Sequence, residues 1–131
     1  MPLGCIAQAS SEYGLPPRLL HALYLVEHGR VGYATVNSNG TLDHGPFGIN
    51  SIFLKQLSNY GIDQSTLSWS KLVNARVAAW FLRTKISQAN GNVWEGVGNY
   101  RSKTPKYHNE EIYRVSREYM KLENVVYEGN C

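Results

Sequence analysis

Cysteine is scarce in this chain of 131 residues, which holds only Cys5 and Cys131, one near each end. No metal-ligand spacing surrounds them, so no metal site is expected, and no cofactor either. Their number and placement suit a single bridge tying the N-terminal helix to the tail, against the plainer alternative of two unrelated thiols. Closing so long a loop would contribute about 4 to 5 kcal/mol on the chain-entropy model, and would imply an oxidising compartment. Long apolar runs are missing as well. Nothing approaches the roughly 18 residues of a membrane span, and the opening MPLGCIAQAS has neither a basic n-region nor an apolar h-region. An exported form of this chain would therefore already have shed its leader. Blocks of one charge are absent too. Thirteen Lys and Arg against ten Asp and Glu leave a net charge of +3, which would suit a polyanionic partner, but the basic residues are scattered and not interleaved with aromatics as a nucleic-acid site requires. Repeats, low-complexity tracts and linkers are also lacking.

What is present is ordinary globular material, 43% hydrophobic and 18% charged, enough for one domain over residues 1–131 with a real core. Ile6, Ala9 and Tyr13 recur at helical spacing and stop at Gly14, which predicts a first helix over Cys5–Tyr13. Pro16 and Pro17 open a second, running to Glu27 and His28. The pattern then changes. Tyr33–Val36 and Thr41–Asp43 flank Asn37-Ser38-Asn39-Gly40, a hairpin signal, and Gly45-Pro46-Phe47-Gly48 reads as a loop. Ile52, Phe53, Leu57 and Tyr60 outline a helix closed by Gly61. Trp69, Val73, Val77, Trp80 and Phe81 mark a long central helix ending at Asn90-Gly91. A short helix covers Val93–Tyr100, with Trp94 and Val97 inward. Ile112, Val115, Tyr119 and Leu122 define the last. The expected fold class is α+β, mostly α, with about six helices and one small hairpin.

Glu27 stands out in this layout. Leu20, Leu23 and Glu27 share one helical face, with Leu19 and Val26 beside them, just before the stop at Gly29. Burial against leucines and the negative end of the helix dipole both disfavour its ionised form, so Glu27 is expected to hold a proton near neutral pH, as a general acid does. A lone glutamate in a last helical turn is more commonly a solvated surface residue. The rest of the chain decides between the two readings.

Four segments carry that decision. Tyr13-Gly14-Leu15-Pro16 precedes the apolar helix, Val26-Glu27-His28-Gly29 ends it, and Asn39-Gly40-Thr41-Leu42-Asp43-His44-Gly45-Pro46-Phe47-Gly48-Ile49-Asn50 follows. Gly98-Asn99-Tyr100-Arg101-Ser102-Lys103-Thr104-Pro105 comes last. In this order and approximate spacing they resemble the soluble lytic transglycosylases of the lysozyme-like fold, over nearly the whole chain. The Tyr-x-Ser-x-Thr-Pro run is most similar to the small periplasmic enzymes that accompany secretion, conjugation and pilus machines. Three departures from the family pattern stand out. His28 stands where serine usually follows the catalytic glutamate, Phe47-Gly48 replaces Met-Gln in the loop, and Arg101 replaces the asparagine of Ala-Tyr-Asn.

The resemblance implies cleavage of the β-1,4 bond between N-acetylmuramic acid and N-acetylglucosamine in peptidoglycan. Glu27 would protonate the leaving oxygen and then act as base while the sugar's own C6 hydroxyl attacks C1, giving a 1,6-anhydro product. A hydrolase of this fold would add a second carboxylate from the hairpin, and Asp43, expected at a strand end facing the cleft, is the candidate; beside a tight turn it is as readily a loop hydrogen-bonding residue. Tyr100 is expected to orient Glu27 through its hydroxyl and to line the sugar cleft. Asn50, Ile49 and Phe47 are expected on the floor of the sugar site, with Asn50 alternatively a helix N-cap. His44 is expected as a polar cleft residue or a local structural one, and Tyr107 and Tyr113 could stack on sugar rings. The expected protein is a periplasmic monomer whose partners are glycan strands and a secretion or pilus assembly. A hydrolytic muramidase and a wall-binding scaffold without turnover are the alternatives.

Overall fold

The computed structural model describes residues 1–131. Two prolines set the start of the helix that carries Glu27. Pro16 is its N-cap and Pro17 its first residue, where a missing N–H costs nothing, and helix α2 runs over Pro17–Glu27. Before it lies α1 (Leu3–Glu12). After it come three short strands, β1 (Ala34–Val36), β2 (Leu42–His44) and β3 (Ile49–Asn50), forming one antiparallel sheet in the order β1-β2-β3. A single 3-10 turn at Ser51–Phe53 leads into α3 (Leu54–Ser58), followed by α4 (Gln64–Trp69), α5 (Lys71–Gln88), α6 (Val93–Arg101) and α7 (Pro105–Lys121). The class is α+β and mostly α, as the sequence predicts.

Two details differ from the sequence reading. The central helix does not begin at Trp69. Ser70 ends α4 and starts α5, its Oγ accepting from Val73 N–H at 3.1 Å, and Asp63 caps α4 by accepting from Thr66 N–H at 2.7 Å. Two capped helices replace one, and Trp69 is 67% exposed. The hairpin also gains a third strand, because after Gly48 the chain pairs Ile49 and Asn50 with His44 and Asp43.

The core gathers Leu19, Leu20 and Leu23 from α2, Ile6 and Ala9 from α1, and Val77, Ala78 and Leu82 from α5. Phe47 joins it from the loop after β2, its ring 5.6 Å from that of Tyr24. Asn74 on α5, wholly buried, fixes this loop. Its Oδ1 accepts from Phe47 N–H at 2.8 Å, and its amide donates to the carbonyls of His44 and Leu67, each at 2.9 Å. A buried amide saturated in this way holds the loop in one conformation. The tail returns to the start of the chain, where Cys5 and Cys131 form a disulfide. Nearby, His21 hydrogen-bonds the Tyr127 hydroxyl at 2.9 Å, and Arg18 Nε donates to the Tyr119 carbonyl at 2.7 Å. No helix is long and apolar enough to cross a membrane.

Candidate active site

Helix α2 stops where the sheet docks against it. His28 takes the left-handed cap at φ 53°, one residue before the glycine expected to do so. Gly29 serves another purpose: its N–H donates to the Pro46 carbonyl at 2.9 Å, and a Cβ there would collide with the Gly45 carbonyl. This close approach sets the loop after β2 beside the last turn of α2. Gly48, at φ 59°, then passes between the two candidate carboxylates; a Cβ on it would lie 3.7 Å from both Glu27 Oε2 and Asp43 Cβ.

Glu27 and Asp43 thus meet across one cleft of about 950 Å³. Ile49 and Asn50 supply wall on the strand side, Tyr100 and Arg101 come from α6, and Trp80 and Phe81 from α5. Asn50 lines the cleft and also serves as a cap. Its Oδ1 caps the 3-10 turn by accepting from Ile52 N–H at 3.0 Å, while its amide donates to Asp43 Oδ1 at 3.0 Å and to Thr41 Oγ1 at 3.1 Å. Tyr100 lines the cleft, and burial, followed by the charges of Glu27, Glu111 and Asp43, holds its hydroxyl neutral well above the ordinary tyrosine range. It makes no hydrogen bond to Glu27, contrary to the orienting role expected of it.

Two expected cleft residues lie elsewhere. His44 is wholly buried and outside the cleft, its Nδ1 3.0 Å from Ser68 Oγ. Successive strand residues face opposite sides, so once Asp43 points into the cleft, His44 points into the core. Burial lowers its pKa, against the opposing pull of Asp43. Phe47 is wholly buried too, because the turn that brings Gly48 to the cleft aims Phe47 at Tyr24. Tyr107 and Tyr113 are exposed on α7, with Arg101 over the first ring and Arg117 over the second, and neither lines the cleft.

The residue missing from the sequence reading is Glu111. It stands on the buried stripe of α7 with His108 and Val115, is 1% exposed, and reaches the same cleft as Glu27. The clue was an acid three residues after His108 and four before Val115, the same anomaly that marks Glu27. Placing the apolar face on Ile112, Val115 and Tyr119 turned Glu111 towards its edge.

The two glutamates interact directly. Glu27 is raised to about 8, first by burial, then by the charge of Glu111 and the hydrogen bond between them, and then by Asp43, with Arg101 opposing. Burial also raises Glu111, but its hydrogen bond with Glu27 and the guanidiniums of Arg101 and Arg114 pull the other way. Both carboxyls are pushed upward, so the pair favours holding a proton. Carboxyls with one proton between them, in a cleft open to a ligand, can deliver that proton to a bound ether oxygen. No cluster of His, Cys, Asp and Glu able to hold a metal is present.

The chain is similar to Invasion protein IagB. It is 30% identical over 104 residues to the proteins of that name from Salmonella typhimurium strains SL1344 and LT2 and from Salmonella typhi. The match takes in 76% of this chain and 62% of each relative, so it spans less than two thirds of their length. No family model matches the chain.

Proposed function

We propose that this protein is a peptidoglycan lytic transglycosylase. The observation that carries the reading is Glu27, a carboxyl raised to about 8 that faces an open cleft instead of being sealed in the core. In this reading Glu27 gives its proton to the glycosidic oxygen between N-acetylmuramic acid and N-acetylglucosamine as the bond to C1 breaks, and an oxocarbenium-like centre develops. Glu27, now ionised, takes the proton from the C6 hydroxyl as O6 bonds to C1. The product is a 1,6-anhydro sugar and no water is consumed. The resemblance of the four segments to the soluble lytic transglycosylases supports this, as do the walls at Asn50, Ile49 and Tyr100. Likeness to a protein named for invasion fits a periplasmic enzyme, working as a monomer, that opens the wall locally for an envelope-spanning secretion, conjugation or pilus assembly.

A second reading rests on one observation, that Asp43 lines the same cleft as Glu27. With water as the acceptor and Asp43 as the second carboxylate, the protein would be a hydrolytic muramidase. Mass spectrometry of digested peptidoglycan separates the two, since the hydrolytic product is heavier by one water. Anhydro-muropeptides from the wild type and none from Glu27→Gln are expected. Absence of any release by the wild type would overturn both enzyme readings in favour of a wall-binding scaffold.

A further inference from the structure

Glu111 poses a problem that the proposed reaction leaves open. It is a carboxylate 1% exposed, and its Oε2 meets no N–H or O–H donor. A buried acceptor without a donor is costly, and native structures rarely retain one without a purpose. The groups around it are Glu27 at the end of α2, Tyr100 and Arg101 on α6, and Glu110 and Arg114 on its own helix, with Asp43 on β2 across the cleft. Tyr100 makes no hydrogen bond here. Arg114 is engaged with Glu110, its Nη2 2.6 Å from Oε1, and Arg101 approaches that same oxygen at 3.7 Å. A protonated Glu27 is the donor that the arrangement leaves for Glu111.

The charges are also lopsided. Both arginines bear on Glu111, with Glu110 opposing them, whereas Glu27 feels Arg101 alone and in addition faces Asp43. Negative charge is therefore better placed on Glu111, and the proton on Glu27. We propose that Glu111 is the positioning residue for Glu27: as the ionised member of a two-carboxyl pair, it accepts the hydrogen bond from the protonated acid and anchors that side chain in the cleft. The inference rests on the reading of Glu27 as the acid. Its consequence for the reaction concerns the second half. When the proton leaves for the glycosidic oxygen, Glu27 becomes an anion beside an anion. The repulsion strengthens it as a base, and it recovers a proton from the attacking hydroxyl while the new bond to C1 forms.

Carbon-13 NMR of labelled glutamate carboxyls, followed through a pH titration of the full chain, tests the pair without requiring turnover. In the wild type, Glu111 is expected to respond as Glu27 titrates, because one proton serves both. In Glu111→Gln, which keeps an acceptor but removes the charge, the Glu27 midpoint should fall by about one pH unit or more, a tenfold change in its protonation ratio. The alkaline limb of kcat/KM on peptidoglycan should move with it, whereas a merely structural role would lower the rate at every pH and leave the limb in place. A Glu27 midpoint unmoved in a folded Glu111→Gln would overturn the proposal. If that variant does not fold, a wild-type Glu111 that titrates in the ordinary carboxylate range without responding to Glu27 overturns it equally. Coupled titration in a protein that cleaves nothing would uphold the pair and count against the transglycosylase reading instead.

Discussion

The two walls of the cleft treat a carboxylate in opposite ways. On the helical wall, Glu27 comes off an apolar stripe and shares the cleft with another buried acid, Glu111. On the strand wall, Asp43 lies on a short β-strand and receives the Asn50 amide at 3.0 Å. One acid is short of donors and faces like charge; the other has a donor built for it. Environment separates the roles of chemically similar groups, and in the proposed chemistry Glu27 carries the proton while Asp43 stays a hydrogen-bonded part of the wall.

The largest test of this contrast is activity. Glu27→Gln should reduce product release by about a thousandfold or more, since loss of the acid removes the proton transfer. Asp43→Asn keeps the Asn50 contact and should cost about tenfold or less, with the anhydro product unchanged. A thousandfold loss in Asp43→Asn, together with products heavier by one water in the wild type, would erase the contrast and make Asp43 a partner in hydrolysis.

Stability gives the next test, and its sign follows from the direction of the shift. Glu27 titrates at about 8 in the folded protein against 4.5 as an ordinary carboxyl. Its contribution to stability is therefore fully present below the unfolded value and is lost as pH rises from there through the folded one. Glu27→Gln has no such loss. Its melting temperature should exceed that of the wild type by about 5 °C at pH 7, with the difference closing towards pH 4. Thermal denaturation followed by circular dichroism across this pH range decides it.

The smallest effect expected is at the seam between the walls. Gly48→Ala places a side chain at φ 59°, a conformation costing about 1 kcal/mol for a residue with a Cβ, and projects a methyl group between Glu27 and Asp43. A small drop in melting temperature and a loss of about tenfold in kcat/KM are expected, with the drop in activity outlasting any stabilisation of the fold. Unchanged turnover would mean that the space between the carboxylates is not where the sugar lies.

How much of this is legible in the sequence depends on how local each signal is. Glu27 follows from the periodicity of one helix. The strand positions of Asp43 and Asn50 follow from one hairpin and one cap, and the proline starts and Asn-Gly turn speak for themselves. The alternation that puts Asp43 in the cleft turns His44 into its structural place in the core, and the turn at Gly48 carries Phe47 away from the cleft. Trp69 fits the apolar spacing of the central helix, and the Ser70 cap that separates it is a short-range cue which that pattern hides. Glu111 lay beyond local reading in a different way. It touches Glu27 only because α7 folds back against α2 and α6, and the one-residue ambiguity in the buried face of α7 decides whether it points in or out.

The proposed chemistry depends most directly on Glu27 carrying a proton where an ordinary carboxylate would not. The decisive measurement is kcat/KM for release of muropeptides from purified sacculi between pH 5 and pH 9, for the wild type and Glu27→Gln. Wild-type activity that persists through neutrality and falls along a limb centred near 8, with none from Glu27→Gln at any pH, is the predicted result. Activity retained by Glu27→Gln, or a wild-type limb in the ordinary carboxylate range, would contradict it.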